Sequence, residues 1–247
     1  MNINNLTVGS WITLNHISIV EIMAEAGFDW LCIDLEHSVI DYYEVEVLIA
    51  TIESKGLFPF VRVGKNDELI IKRVLDAGAK GIIVPMVNSI NDARKAVDAI
   101  KYPPLGKRGV GLARAQGYGF NFDEYAQNIN DETIIVAQIE HISAIENLPE
   151  ILKIPEINST IIGPYDLSAS MGIPGQYSDP NVQEMIISYE KVSKQYNKPI
   201  GYHVIDPDHK LVLDKISSGY TFLAFSLDIL FLGTIVRNEM KKIKDNL

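Results

Sequence analysis

Short apolar runs rich in β-branched residues recur along the whole 247-residue chain. They are nearly continuous in hydrophobicity, as in strands of a parallel sheet that are buried on both faces, whereas half-exposed antiparallel strands would alternate. The pattern therefore predicts eight strands. These strands span Trp11 to Leu14, Trp30 to Leu35, Phe58 to Val63, Gly81 to Val87, Ile134 to Ile139, Thr160 to Gly163, Ile200 to Val204 and Thr221 to Ser226.

Segments with the helical spacing of apolar residues separate these runs. Several of them are followed by a glycine, such as Gly27 or Gly78, which is typical of the position just after the end of a helix. The predicted helices span His16 to Ala26, Tyr42 to Ser54, Asp67 to Ala77, Ile90 to Ile100, Ser143 to Leu152, Val182 to Tyr196, Pro207 to Ser217 and Ile229 to Lys244.

Eight βα units in sequence form either a closed barrel or an open doubly wound sheet. No glycine-rich phosphate-binding sequence follows the first strand, which favours the barrel, and a single barrel commonly takes about 250 residues. No linker or shift in composition divides the chain. We therefore expect an α/β protein in which residues 1–247 form one single-domain (β/α)8 TIM barrel. The connection from Tyr102 to Asn130 is rich in glycine and proline and predicts a long irregular loop with a functional role.

The composition of the chain limits its expected binding partners and its expected cellular location. Lys and Arg total 22 against 32 Asp and Glu, a net charge of −10, which argues against nucleic-acid binding. The first residues lack the basic start and apolar stretch of a signal peptide, and no window reaches the ~18 apolar residues of a membrane span. We expect a cytoplasmic protein without nucleic-acid or membrane partners. Cys32, the single cysteine, lies in an apolar run and is expected in the core.

Polar residues follow many of the predicted strands. In an α/β barrel the catalytic groups come from the C-terminal ends of several strands, so these residues are the candidates for chemistry. They are Asp34, Glu36, His37, Arg62, Gln138, Glu140, Tyr165, Asp166, His203 and Asp228.

Glu140 and Asp166 follow adjacent strands and could converge at the barrel mouth. Two carboxylates suit a hard divalent cation, which keeps water or substrate in its other positions. The alternative is a pair of carboxylates that are solvated or paired with lysines.

His37 and Arg62 each allow two interpretations as well. Asp34 lies three positions before His37, and a carboxylate on one ring nitrogen would raise the basicity of the other, which makes a catalytic dyad. His37 could instead be a capping residue. Arg62 lies in an apolar run, where its positively charged guanidinium needs an anionic partner. That partner is either a substrate oxygen or a structural carboxylate.

Taken together, these motifs resemble the HpcH/HpaI aldolase family, class II pyruvate aldolases with a barrel of the phosphoenolpyruvate/pyruvate type. The resemblance covers nearly the whole chain. It runs through Ala24 to Trp30, Ile33 to His37, the strand with Arg62, Lys72 to Ala79, Val84 to Val87, Tyr102 to Pro104, Arg108 to Gly111, Ala113 to Ala115, Gln138 to Glu140 and Gly163 to Ser168.

The resemblance implies roles for individual residues. It implies metal ligands at Glu140 and Asp166, a catalytic dyad of His37 and Asp34, and an arginine at Arg62 that stabilises an enolate. It implies that Gln138 lies beside pyruvate. It also implies that the carboxylate of pyruvate is bound by backbone amides around Gly163, Pro164, Tyr165 and Asp166. It also implies a homo-oligomer, a hexamer, in which Asp76 reaches the site of a neighbouring subunit.

The implied activity is metal-dependent cleavage of a 4-hydroxy-2-oxo acid to pyruvate and an aldehyde through a pyruvate enolate, and the reverse condensation. The expected cation is Mg²⁺, with Mn²⁺ or Co²⁺ as alternatives. His37 would accept the proton of the C4 hydroxyl directly or through a water. The aldehyde depends on loop shapes that the sequence does not give.

The chain departs from the family pattern at three positions. Tyr165 replaces a small residue, Leu35 stands where glycine is common, and His203 lies where aliphatic residues are usual. His203 could contact the aldehyde portion or be a hydrogen-bonded core residue.

Three rival functions stay open. They are a lyase of the citrate lyase or malyl-CoA lyase type, a Schiff-base aldolase that uses Lys65, and a non-catalytic binding barrel.

Overall fold

Each of the eight predicted apolar runs overlaps a strand in a computed structural model that describes residues 1–247. The strands are parallel and close into a barrel in the order β1 to β8, with β1 also paired to β8. This confirms the predicted (β/α)8 barrel. The strands are β1 Thr7–Ile12, β2 Trp30–Asp34, β3 Phe58–Arg62, β4 Gly81–Val84, β5 Ile134–Ile139, β6 Ser159–Ile162, β7 Ile200–Val204 and β8 Phe222–Leu227.

Helices surround the barrel, and polar side chains begin several of them. The Asp41 carboxylate accepts the backbone N–H groups of Tyr43 and Glu44, while the Glu44 side chain accepts that of Asp41, which is a complete capping box. The helices are α1 Ile17–Glu25, α2 Tyr42–Ser54, α3 Glu68–Asp76, α4 Ile90–Ile100, α5 Phe122–Glu132, α6 Ile142–Glu146, α7 Leu148–Leu152, α8 Pro164–Ser170, α9 Pro180–Gln195, α10 His209–Ser217 and α11 Asp228–Asp245. None of these helices has both the length and the apolar character that crossing a membrane requires.

The structure corrects four predicted segments. The first strand covers Thr7–Ile12 and not Trp11 to Leu14. The long loop from Tyr102 to Asn130 is wrong in its second half, where α5 begins at Phe122; this helix is polar and buries only Ile129, so its periodicity is weak. The predicted helix from Ser143 to Leu152 is two helices, because Pro149 lacks the N–H and interrupts the turn. The short helix α8, which starts at Pro164, was not predicted.

Large aromatic rings fill the interior of the barrel near the start of the strands. Trp30 and Phe222 stack with their ring centroids 4.5 Å apart, and Phe60 lies 5.4 Å from each of them. Glycines make room for these rings: a Cβ on Gly9 would lie 1.9 Å from the indole of Trp30, and one on Gly81 would lie 2.1 Å from Phe60. Because the rings close this end, the polar residues further along the strands face a cavity at the other end.

The same interior cluster contains Cys32, which is fully buried. Its predicted core position is confirmed. Burial raises the pKa of its thiol, and the negative charge of Asp34 adds to that effect.

We predict that Gly9→Ala destabilises the barrel, because the added methyl group overlaps the Trp30 ring. Overpacking of this kind lowers the free energy of unfolding by about 1–3 kcal/mol. Gly109→Ala is the matched control, since its Cβ would make ordinary contact with the flexible Lys72 side chain at 3.7 Å. Urea unfolding measures both, and equal midpoints for the two variants would contradict the packing argument.

Candidate active site

An ion pair between β2 and β3 organises the mouth of the barrel. Asp34 and Arg62 are direct neighbours in the strand register. The Nε and Nη2 groups of Arg62 donate to the two oxygens of Asp34 at 2.8 and 2.7 Å, and both side chains are nearly buried. Arg62 therefore has a structural carboxylate partner, one of the two alternatives that the sequence left open.

Two further groups surround the guanidinium of Arg62. Its Nη1 lies 3.2 Å from Oε2 of Glu36, and its Cζ lies 4.5 Å from the centroid of the Trp11 ring. A cation over an aromatic face is stabilised by the ring quadrupole. Arg62 is thus fixed in one orientation while it still lines the cavity.

The pKa directions show that this pair is ionised. Burial alone would raise the pKa of Asp34, but the hydrogen bonds and charge of Arg62 outweigh it and lower that pKa. Burial would lower the pKa of Arg62, and Asp34 and Glu36 more than compensate and raise it. Burial raises the pKa of Glu36 against the opposing charge of Arg62, and the charges of Asp34 and Asp166 add to the rise. The mouth of the barrel thus concentrates negative charge around one arginine.

The His37 ring does not form the predicted hydrogen bond with the Asp34 carboxylate. The backbone N–H of His37 donates to the Asp34 carboxylate at 3.3 Å, but both oxygens of that carboxylate already accept from Arg62. The ring is 65% exposed, and its Nε2 lies 3.8 Å from Oε2 of Glu36. Glu36, to which the sequence assigned no role, is therefore the carboxylate beside the imidazole. Its position after Asp34 and before His37 was the available signal.

Glu140 and Asp166 approach one another beside Gly163. Oε2 of Glu140 lies 3.5 Å, and Oδ2 of Asp166 lies 3.9 Å, from the point that a Cβ on Gly163 would occupy. The glycine thus leaves open a space that both carboxylates border. Glu140 itself is buried; its Oε1 accepts the N–H of Met86 at 2.7 Å, and its Oε2 accepts from the amide of Gln138.

These two carboxylates fit a divalent cation. Burial raises the pKa of Glu140 to about 7, and the charges of Glu36 and Asp166 add to this against the hydrogen bonds from Gln138 and Met86. Such crowding of negative charge is what a cation would relieve. No group of three or more His, Cys, Asp or Glu side chains could hold a metal. Magnesium is nevertheless often held by one or two carboxylates, with water and substrate completing its coordination.

A cavity of about 450 Å³ brings most of the predicted residues together. Glu140 lies just behind its wall, in contact with Gln138. Asp76 lies elsewhere, at the end of α3, where its carboxylate accepts from buried Arg108 at 2.7 Å. The predicted residues that line the cavity are Asp34, His37, Arg62, Gln138, Gly163, Pro164, Tyr165 and Asp166.

The amides around α8 differ from the prediction in one respect. The N–H of Gly163 donates to the carbonyl of Ile139 at 3.1 Å within the sheet, so it is not available to a ligand. Pro164 has no N–H. The N–H groups of Tyr165 and Asp166 lie in the first turn of α8, where a helix offers them no acceptor. The predicted set of amides is thereby reduced to these two.

Other residues of the mouth clarify the remaining candidates. Tyr165 is 50% exposed and packs against Tyr177, with 6.2 Å between ring centroids, so its ring lies at the rim. Asp228 has a structural role: it accepts the N–H and hydroxyl of Thr13 at 2.8 and 2.6 Å, which ties α11 to β1. Lys65 is exposed and does not line the cavity.

Sequence comparison places residues 7–228 in the family model described as HpcH/HpaI aldolase/citrate lyase. The chain is 36% identical to the 2-dehydro-3,6-dideoxy-6-sulfogluconate aldolase of Pseudomonas putida over 90% of this chain and 86% of that protein. It is 36% identical to the hydroxypyruvate/pyruvate aldolase of Roseobacter denitrificans over 91% and 87%. Among solved structures, an HpcH/HpaI aldolase/citrate lyase family protein from Burkholderia cenocepacia has a TM-score of 0.92 and 29% identity over 98% and 95% of the two chains.

We predict that Asp34→Asn lowers the free energy of unfolding by about 2–4 kcal/mol, because it leaves the buried charge of Arg62 with Glu36 as its remaining partner. Folding lowers the pKa of Asp34 below its ordinary 3.8, so the difference from the wild type should be complete above that pH and shrink in stronger acid. Glu239→Gln, in an exposed pair with Lys242, is the control and should change little. Similar urea midpoints for the two variants at pH 7 would show that the buried pair is not required.

Proposed function

Because this chain belongs to the HpcH/HpaI aldolase/citrate lyase family and is a carbon–carbon lyase of the aldolase type, we propose that it cleaves a 4-hydroxy-2-oxo acid to pyruvate and an aldehyde with the help of a divalent cation. The same site would catalyse the reverse condensation. One observation carries this proposal: a single cavity at the C-terminal ends of the strands is lined by a fixed arginine, an accessible imidazole and Asp166, and Glu140 lies behind its wall in contact with Gln138.

The pyruvate half of the substrate is assigned to the side of the cavity formed by β5 and β6. Glu140 and Asp166 would hold the cation, Mg²⁺ or alternatively Mn²⁺ or Co²⁺, which supplies Lewis acidity toward the 2-oxo acid. Gln138, whose amide already contacts Glu140, is positioned to contact the substrate beside it. The N–H groups of Tyr165 and Asp166 would bind the carboxylate, as the first turn of a helix favours anions.

Arg62 would stabilise the charge that develops in the reaction, and His37 would transfer the proton. Arg62, held in place by Asp34, would stabilise the negative charge that develops on the keto oxygen when the C3–C4 bond breaks. His37 would accept the proton of the C4 hydroxyl directly or through a water. In this arrangement Asp34 acts on Arg62, and Glu36 is the carboxylate that supports the imidazole.

The rival functions have weaker support. Lys65 is exposed and outside the cavity, whereas a Schiff-base lysine is desolvated or beside another cation. The citrate lyase and malyl-CoA lyase types share the enolate chemistry but act on thioesters, while the curated relatives named above are aldolases. A binding barrel without turnover remains the contrasting class, and an activity assay separates it from an enzyme.

We predict that the protein exchanges the methyl protons of pyruvate with deuterium in D2O when Mg²⁺, Mn²⁺ or Co²⁺ is added, as measured by proton NMR. Excess EDTA should abolish the exchange, and fresh metal should restore it. His37→Ala and Arg62→Ala should slow it roughly 100-fold or more, because each removes a group that stabilises the developing charge or moves the proton.

The controls for this assay are His209→Ala and Lys65→Ala, two exposed residues outside the cavity, which should exchange at the wild-type rate. Loss of exchange in Lys65→Ala, with trapping of pyruvate by borohydride, would instead indicate a Schiff-base enzyme. The absence of any metal-dependent exchange in the wild type would favour a binding protein.

We also propose that the chain forms a homo-oligomer, a hexamer by its resemblance to the family. Asp228 is the one buried residue of α11, and this helix exposes an apolar stripe to solvent. Exposed apolar patches of this kind mark association surfaces. The stripe consists of Leu232, Ile235, Val236, Met240 and Ile243, each 47% to 65% exposed. Asp76, which lies away from its own chain's cavity, would serve the site of a neighbouring copy.

We predict that the double variant Leu232→Lys and Ile235→Lys is a smaller species than the wild type in sedimentation velocity experiments, because the two charges would be buried at the interface. Asn238→Lys adds a charge to the same helix outside the stripe and should leave the assembly intact. A monomeric wild type, or a double variant that sediments with the wild type, would contradict the proposed interface.

A further inference from the structure

His203 lies inside the barrel at the edge of the cavity. Side chains alternate along β7, so Tyr202 and Val204 face the helices while Gly201 and His203 face the interior. His203 pairs in register with Ala224 of β8, whose small side chain leaves space for the imidazole. The ring lines the same cavity as Arg62 and His37.

The imidazole of His203 has aromatic packing but incomplete hydrogen bonding. Its ring centroid lies 5.4 Å from that of Trp11, which also contacts Arg62. Its Nε2 is buried and has no hydrogen-bond partner, and the same is true of Nε1 of Trp11. A buried polar atom without a hydrogen-bond partner lowers the stability of the fold by about 1–3 kcal/mol. An aliphatic residue at this position would avoid that cost. The imidazole is therefore poorly explained as a packing residue alone.

His203 is uncharged at neutral pH. Burial lowers its pKa to about 4, and the positive charge of Arg62 acts in the same direction, while the Ser226 carbonyl and Asp34 oppose the shift. A neutral imidazole presents one donor and one acceptor nitrogen. It is thus suited to hydrogen bonding with a neutral group and unsuited to binding an anion.

The position of His203 in the cavity selects which part of a substrate it can meet. The two carboxylates assigned to the cation, Glu140 and Asp166, and the free amides come from the ends of β5 and β6 and from α8. The opposite wall comes from β7, β8, β1 and the start of α11, and it consists largely of Trp11, Ile205, Leu227 and Ile229. The hydroxyl of Thr13, also on this wall, already donates to Asp228. The imidazole of His203 and the indole N–H of Trp11 are therefore the polar groups of this wall without a partner, and of the two only the imidazole can accept a hydrogen bond.

We propose that His203 is a specificity-determining residue that hydrogen-bonds a hydroxyl group on the aldehyde half of the substrate, so that this enzyme prefers hydroxyaldehydes to aliphatic aldehydes of the same size. This inference rests on the proposed pyruvate chemistry, which assigns the opposite wall to the pyruvate half. A hydroxyl is the neutral group that can both donate to and accept from an imidazole.

The test compares glycolaldehyde with propionaldehyde, in which a methyl group replaces the hydroxyl, as partners of pyruvate in the condensation. The ratio of kcat/KM for the two aldehydes is measured with wild type, His203→Leu and His203→Gln, all loaded with Mg²⁺. Exchange of pyruvate methyl protons in D2O is measured on the same samples. We expect wild type to favour glycolaldehyde, His203→Leu to lose about tenfold of that ratio, and His203→Gln to keep most of it.

The outcomes separate this inference from the proposed function. An unchanged ratio in His203→Leu, with normal pyruvate exchange, would overturn the role of His203 alone. An equal loss with both aldehydes in His203→Leu and in His203→Gln would assign the residue a structural role and also overturn it. If wild type exchanges no pyruvate protons, the proposed function fails and this inference fails with it.

Discussion

The paired hydrogen bonds between Asp34 and Arg62 are the interaction on which the rest of the site depends. A cation at the end of a buried strand needs a fixed anionic partner, and the strand register places Asp34 directly beside it. The pair occupies both oxygens of Asp34. Glu36, and not Asp34, is therefore the carboxylate near the imidazole of His37. The guanidinium of Arg62 also contacts Glu36 and the face of the Trp11 ring.

The same constraint divides the cavity by charge. Burial raises the pKa values of Glu36 and Glu140, and the charge of Asp166 adds to both shifts, which makes that side of the cavity suited to a cation. The side formed by β7, β8 and β1 is largely apolar, and its polar groups are His203, the indole N–H of Trp11 and the hydroxyl of Thr13, which donates to Asp228. This division suits the proposed cleavage, because the pyruvate half of the substrate acquires charge during the reaction while the other half leaves as an aldehyde.

Glycines leave space for side chains at both ends of the barrel interior. Near the start of the strands, Gly9 and Gly81 make room for Trp30 and Phe60, which close the interior. At the mouth, Gly163 leaves space between Glu140 and Asp166, and the backbone N–H of Met86 restrains Glu140 from behind. A closed interior at one end and an open corner at the other explain why the polar side chains of the strands converge at a single mouth.

The sequence by itself determined the barrel, because eight apolar runs buried on both faces and separated by helical segments allow few other arrangements. It also identified the residues of the mouth, since catalytic groups in such a barrel follow the strands. It did not determine the partners within the mouth: the pairing of Asp34 with Arg62, the approach of Glu36 to His37 and the loss of the Gly163 amide to Ile139 follow from strand register. The orientation of His203 toward the interior had the same origin. Register and packing join residues that are far apart in the chain, so only the tertiary structure could decide which donor meets which acceptor.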